Sequence, residues 1–336
     1  MKIKQITIIG LGYIGTSIAL GLRTKYSNNI KIIGYDSNQD VQRKTKKSGL
    51  VDETPWNLPN SVKNSEIVVI ATPPNSVKEI FSVISGNLSE NSVVTDTSVT
   101  KRKILQWADE YIPKKFIGGN PLVGGLEGNN IDPSGYIFSD SKWALLPAKN
   151  TPENKVNKIV NFIQDLGAKP FFIDPLEHDS YTVATSVLPF IFSTTLMNIV
   201  SESPSWHEMS QFAGKEFNNV TSPSKNLPDI SYGSIETTNE ILIDWIQRSI
   251  QHLDLLKKEL ENINLSDNNL LDLVNNSWEE RIRLDAGLAN RRKTDEQRPN
   301  IPSSSEGMMS LFFGSRFASV LSGNDKKKGN DKKSNK

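Results

Sequence analysis

The chain has 336 residues, room for two domains of ordinary size, and its 36% hydrophobic and 23% charged residues are the make-up of a soluble globular protein. Its 39 basic and 38 acidic residues nearly cancel, so charge implies no nucleic-acid partner. The absence of cysteine excludes disulfides, thiolate metal sites, Fe–S clusters and cysteine nucleophiles; no metal site is expected, and a cytoplasmic setting fits.

In chain order, Met1-Lys2-Ile3-Lys4 shows no signal-peptide layout and leads into a first strand, Ile6–Ile9. Helix Tyr13–Tyr26 and strand Ile30–Tyr35 follow, then strand Ile67–Ala71, helix Val77–Ile84, strand Val93–Thr95 and helix Lys101–Tyr111. Strands Phe116–Gly118 and Trp143–Leu146, helix Pro152–Leu166 and strand Pro170–Ile173 complete the series; Thr151-Pro152 reads as an N-cap with proline in the first turn. Short apolar runs alternating with amphipathic stretches predict βαβ units around a doubly wound parallel sheet, the Rossmann class of α/β fold. After Asp174 the pattern becomes helical. From Ser180 to Ser201 no residue is charged, but Pro189, Asn198 and several Ser and Thr dilute the hydrophobicity, so a helix buried at a domain or subunit interface is expected and no membrane span. Leu242, Ile246, Ile250, Leu253, Leu256 and Leu260 recur at helical spacing, and Ser266 or Asp267 is placed to cap a last helix running towards Arg283. Residues 323–336 contain only Gly, Asn, Asp, Lys and Ser and are expected to be disordered. The expected organisation is therefore a nucleotide-binding domain over 1–174, a helical domain over 175–290 and an extension with a Lys-rich tail over 291–336.

The strongest motif follows the first strand. Gly10-Leu11-Gly12-Tyr13-Ile14-Gly15 is a G-x-G-x-x-G turn opening a helix. Gly10 permits the tight turn, Gly12 lets the backbone approach a pyrophosphate, Gly15 allows close helix–strand packing, and the helix N-terminus offers N–H groups to the anion. Asp36 ends the second strand, where a carboxylate accepts hydrogen bonds from the adenosine ribose. A carboxylate repels a 2′-phosphate, and Ser37 and Asn38 supply no positive charge, so NAD is expected over NADP. Tyr13 and Ile14 in the turn, Thr72 and Pro73 after the next strand, and Asp96 after the fourth complete the expected cofactor contacts.

Further blocks resemble one family. Val94-Thr95-Asp96-Thr97-Ser98-Val99-Thr100-Lys101 is similar to a D-x-x-S-[VT]-K segment, and Phe116-Ile117-Gly118-Gly119-Asn120-Pro121-Leu122-Val123-Gly124 to a GGHP-x-x-G segment, both of the prephenate/arogenate dehydrogenases. His178-Asp179 with Ser186-Val187-Leu188-Pro189 resembles the HD and SHLP stretch that opens that family's helical dimerisation domain, and Glu236 to Glu261 resembles its later helix. The resemblance spans roughly residues 3–260. It implies an NAD-dependent oxidation of a cyclohexadienyl substrate in tyrosine biosynthesis, with loss of carbon dioxide, by a homodimer with an all-helical dimerisation domain.

The resemblance also shows substitutions. The histidine of GGHP is Asn120, the serine of D-x-x-S-x-K is Val99, and Ser222 stands where the family has a substrate-binding arginine. Asparagine can donate and accept hydrogen bonds but takes up no proton near neutral pH, and general-base assistance is typically worth about 10²–10⁴-fold. No arginine occurs between Arg102 and Arg248. Lys101, Lys142, Lys215 and Lys225 are available as cations, Lys101 being best placed by its motif. Asn120, Lys101 and Ser98 are therefore the candidate catalytic residues. Of the three histidines, His178 is expected to make a capping or interdomain hydrogen bond, His207 has no assignable role, and His252 should face solvent. Lys215-Glu216-Phe217-Asn218-Asn219 also has the K-x-x-N-N form of β-hydroxyacid dehydrogenases, which a polar helix end would share. A dehydrogenase of another small hydroxy acid, and a dinucleotide-binding protein without turnover, remain open alternatives.

Overall fold

The computed structural model describes residues 3–123, 132–263 and 269–289. The C-terminal extension and its tail, and the cap positions Ser266 and Asp267, lie outside the described residues. By contact the chain forms two compact units, Met1–Arg248 and Ser249–Lys336.

Seven strands of the first unit make one sheet: β1 (Gln5–Ile9), β2 (Lys31–Tyr35), β3 (Ile67–Ile70), β4 (Val93–Asp96), β5 (Phe116–Leu122), β6 (Lys142–Pro147) and β7 (Lys169–Phe172). Their order is β2-β1-β3-β4-β5-β6-β7. The first five are parallel, with Ile6 opposite Ile32 on one side and Ile67 on the other. The expectation of a wholly parallel sheet is corrected at one edge: β6 pairs antiparallel with β5, and β7 runs parallel to β6. Mixed sheets commonly carry such a reversed edge.

The strands form because their β-branched residues fit a surface covered on both sides. In β3, Ile67 and Val69 join one core, whereas Val68 and Ile70 join the other, the alternation that a pleat imposes. Helices α1 (Tyr13–Tyr26) and α5 (Glu153–Asp165) bury Ile18, Leu22, Ile159 and Phe162 on the first face. Helices α3 (Val77–Ile84) and α4 (Arg102–Tyr111) bury Phe81, Ile84 and Ile104 on the second. Each such side chain contributes about 1.5–3 kcal/mol by leaving water.

Two local expectations change. Helix α2 (Gln39–Lys47) was not anticipated, because its QDVQRKTKK sequence has a single apolar residue; Asn38 starts it by accepting the Asp40 N–H. Thr151 does not cap α5: its hydroxyl donates to the carbonyls of Phe116 and Ala148, and Pro152 occupies the cap position.

The helical part begins at Asp174, whose carboxylate caps α6 (Pro175–Thr182) by accepting the N–H groups of Leu176 and Glu177. A π-helical turn, Val183–Val187, carries the chain into α7 (Leu188–Ser201). The whole run, Pro175–Ser201, is long and apolar enough to cross a membrane by length and composition. Within one chain the expected burial is not met, since Phe192 and Ile199 remain 41% and 64% exposed. Helix α8 (Lys215–Thr221) lies in the first unit, and the long α9 (Pro228–Glu261), which has a non-helical turn at Thr238, starts in the first unit and ends in the second. Of the apolar stripe read in α9, Leu242 is buried and Ile246 packs on it, while Ile250, Leu253, Leu256 and Leu260 are exposed. In the second unit the last helix, α10 (Leu270–Asp285), follows Asn269, whose N–H donates to the Glu259 carboxylate.

Candidate active site

The C-terminal ends of β1, β3, β4 and β5 lie side by side, and the order reverses between β2 and β3 around β1. Open α/β sheets bind ligands in the crevice at that reversal.

The glycine turn occupies the end of β1. Gly10 has φ of +91°, and a side chain there would meet the Ala71 carbonyl at 2.4 Å and the Thr72 methyl at 2.9 Å. Ala71 and Thr72 are thus packed against the turn, and Pro73 follows them in the chain. A side chain on Gly15 would lie 1.9 Å from the Gly10 carbonyl, whereas one on Gly12 would enter open space. The start of α1, with Tyr13 and Ile14 half-buried, has no side-chain cap and no acid in its first turn. Its leading N–H groups are left for an outside acceptor. Asp36 sits beside the turn, accepting the Leu11 N–H at 2.8 Å and the Asn38 N–H at 2.8 Å. The residues present therefore fit a dinucleotide.

Further along the same edge lies a buried polar cluster. Asp96 is 0% exposed and both its oxygens face protein: Oδ1 accepts the Gly119 N–H at 2.9 Å, and Oδ2 accepts the Ser98 N–H at 3.1 Å and Lys101 Nζ at 2.5 Å. Lys101 is equally buried, so desolvation pushes its pKa down, against the pull of Asp96 and Asp179 upwards. Its ammonium is directed at Asp96 and is not a free cation for a substrate carboxylate. Lys142, Lys215 and Lys225 are exposed. Ser98 is buried with a hydroxyl that lacks a partner among the described residues. Asn120 lies within β5, opposite Ala144, and is 2% exposed.

Two members of this cluster were not among the candidate catalytic or cofactor residues. Asp179 accepts the N–H groups of Lys101 at 2.7 Å and Arg102 at 2.9 Å, so a carboxylate from α6 caps α4 across the fold. His178 places Nδ1 2.9 Å from Asp179 Oδ1 and Nε2 3.0 Å from Asn120 Nδ2. His178, expected to make a capping or interdomain hydrogen bond, is thus bonded to Asn120. No spacing in the sequence could have shown this, because 58 residues separate the two. Val99 is half-buried in the same turn and Ser222 is buried in the segment after α8. His207 and His252 are both exposed. In the K-x-x-N-N stretch, Lys215 and Asn219 are exposed and Asn218 donates to the carbonyls of Ala213 and Gly214, the behaviour of a polar helix start.

A glycine turn with an acid at the second strand, beside a buried polar cluster at the next strand ends, defines a dinucleotide-binding oxidoreductase of the Rossmann type. Two family models match in tandem: prephenate dehydrogenase, nucleotide-binding domain, over residues 18–171, and prephenate dehydrogenase, dimerization domain, over 174–275. The chain belongs to the prephenate/arogenate dehydrogenase family. It is 24% identical over 260 residues to a prephenate dehydrogenase of Bacillus subtilis, covering 76% of this chain and 70% of that one. It is 28% identical over 257 residues to one of Lactococcus lactis, covering 75% and 70%. In fold it is similar to a prephenate dehydrogenase from A. aeolicus solved with hydroxyphenyl propionate and NAD+, with a TM-score of 0.76 at 23% identity, covering 85% of this chain and 99% of that one.

Proposed function

We propose that this chain catalyses the NAD-dependent oxidative decarboxylation of a cyclohexadienyl acid, prephenate or arogenate, in tyrosine biosynthesis. The observation that carries this reading is the buried cluster of Asp96, Lys101, Asn120, His178 and Asp179 on the same sheet edge as the glycine turn. The nucleotide is assigned to residues 1–174 and the subunit contact to the helical part, 175–290. Gly10, Gly12, Tyr13, Ile14 and Gly15 would hold the pyrophosphate, Asp36 the adenosine ribose, and Thr72 and Pro73 the inner wall of the cofactor site. When bound, NAD supplies the hydride acceptor.

The protein's own contribution is orientation. Net, the substrate loses hydride and carbon dioxide while its ring becomes aromatic, and the ring hydroxyl keeps its hydrogen in the phenol formed. Charge balances without a released proton, so a hydrogen-bond acceptor that polarises the hydroxyl meets the main need. Asn120 can be that acceptor, through Oδ1. Ser98, whose hydroxyl has no partner among the described residues, donates its N–H to the same carboxylate, Asp96, that accepts the Gly119 N–H. Asp96 acts through Lys101 and the Gly119 N–H, keeping β4 and β5 in register at the site rather than touching substrate.

Incubated with NAD and either acid, the purified full chain is expected to form NADH, and more slowly with NADP in place of NAD. Silence with both substrates across a broad pH range removes the proposal. Val99 and Ser222, in place of the family's serine and arginine, favour one second reading, oxidation of another small hydroxy acid; a panel of such acids followed at the NADH absorbance would reveal it.

The open face of α6 and α7 supports a homodimer, since apolar surface of this extent rarely faces water in a monomer. Light scattering at micromolar concentration is expected to give twice the chain mass, and Ile199→Asp to shift it towards the single chain. A wild-type monomer would contradict the assembly.

A further inference from the structure

A carboxylate can only accept, so the contact between Asp179 Oδ1 and His178 Nδ1 requires that Nδ1 carry the hydrogen. In the neutral ring Nε2 is then an acceptor, and its neighbour Asn120 must present the NH2 side of its amide. Oδ1 of Asn120 is thereby turned away from the imidazole, and among the described residues it has no donor. All three side chains are nearly sealed from water, at 2% exposure for Asn120, 3% for His178 and 1% for Asp179. Asp179 is itself immobilised by the N–H groups of Lys101 and Arg102. The tautomer is therefore held by the start of α4, and the amide by the tautomer.

We infer that His178 is a positioning residue whose protonation state sets which face Asn120 offers to the substrate. With His178 neutral, Asn120 Oδ1 accepts from the substrate hydroxyl as hydride leaves the carbon that bears it. When His178 gains its second proton, Nε2–H becomes a donor, the amide reverses to bring Oδ1 to it, and the NH2 group faces a hydroxyl it cannot polarise. The charged groups around the ring are Asp179, with Asp96, Lys101 and Arg102 from the turn between β4 and α4; Glu177 on its own helix is exposed. The family's histidine is thus replaced by two residues, one touching substrate and one titrating. This inference rests on the proposal that a ring hydroxyl is oxidised.

The test has a kinetic and a spectroscopic arm. The wild-type kcat/KM is expected to fall on the acid side, where His178 gains its second proton. His178→Leu should lose that acid limb and about 100-fold in kcat/KM at pH 8, the scale of a misplaced catalytic contact, with the affinity for NAD unchanged. An unaltered acid limb in His178→Leu overturns the inference. Nitrogen-15 spectra of the imidazoles decide it without turnover, and the chain has only three histidines to assign. His178 should show hydrogen on Nδ1 at pH 8, and reversal of the Asn120 amide on acidification. Hydrogen on Nε2 at pH 8 overturns the role of His178 even in an active enzyme, whereas the expected spectra in an enzyme silent towards both acids locate the failure in the choice of substrate.

Discussion

Lys101→Met is expected to destabilise the fold by about 3–5 kcal/mol, the cost of leaving one partner of a buried ion pair uncompensated. Asp96 and Lys101 are both 0% exposed and meet at 2.5 Å, so neither charge has water to fall back on. Removal of the ammonium leaves Asp96 with only the N–H groups of Gly119 and Ser98. Two N–H groups stabilise a carboxylate less than an added cation does, and the strand end that carries Asn120 is tied to that carboxylate through Gly119. Urea denaturation followed by circular dichroism should show the loss, and activity should fall with it. With total stability of natural domains about 5–15 kcal/mol, the single variant can fail to fold. Asp96→Asn combined with Lys101→Met removes both charges and is expected to recover much of the loss. A single variant as stable as the wild type would mean that the pair contributes nothing.

Gly15→Ala is expected to weaken NAD binding by about 100-fold or more, because a misplacement near 1 Å in a preorganised site has that scale of effect. The added carbon would lie 1.9 Å from the Gly10 carbonyl, a backbone atom with no rotamer through which to escape. The Gly10 peptide must move instead. Gly10 N–H is bonded to the Tyr35 carbonyl at 2.8 Å and Leu11 N–H to Asp36 at 2.8 Å, so the disturbance reaches both the phosphate turn and the ribose acid. Overpacking of this kind also costs about 1–3 kcal/mol of stability. Calorimetric titration with NAD, beside a denaturation curve, separates the two effects. An unchanged affinity would show that the turn can relax without moving its N–H groups, and the pyrophosphate assignment would lose its main support.

Much of the framework was legible because it is local. Ile67-Val68-Val69-Ile70 is β-branched throughout and buried on both faces, and only a central parallel strand combines those properties. The glycine turn was legible for a similar reason, since Gly10 and Gly15 each answer a steric demand set within a few residues or by the adjacent strand. Where local signals were weak, the reading stopped short. Gly118-Gly119-Asn120-Pro121 resembles a break, yet β5 continues through it to Leu122. Helix α2 has almost no apolar stripe and owes its start to Asn38.

By itself, then, the sequence determined the glycine turn and the seven strands, because backbone preference and hydrophobic period act between near neighbours. Tertiary structure alone decided that β6 and β7 run backwards and that Asn120 is pinned inside a strand by pairing with Ala144. It also brought His178 and Asp179 to Asn120 and to the start of α4. Those contacts join residues tens of positions apart, and their partners are chosen by how the sheet and the helices pack, which no spacing along the chain encodes.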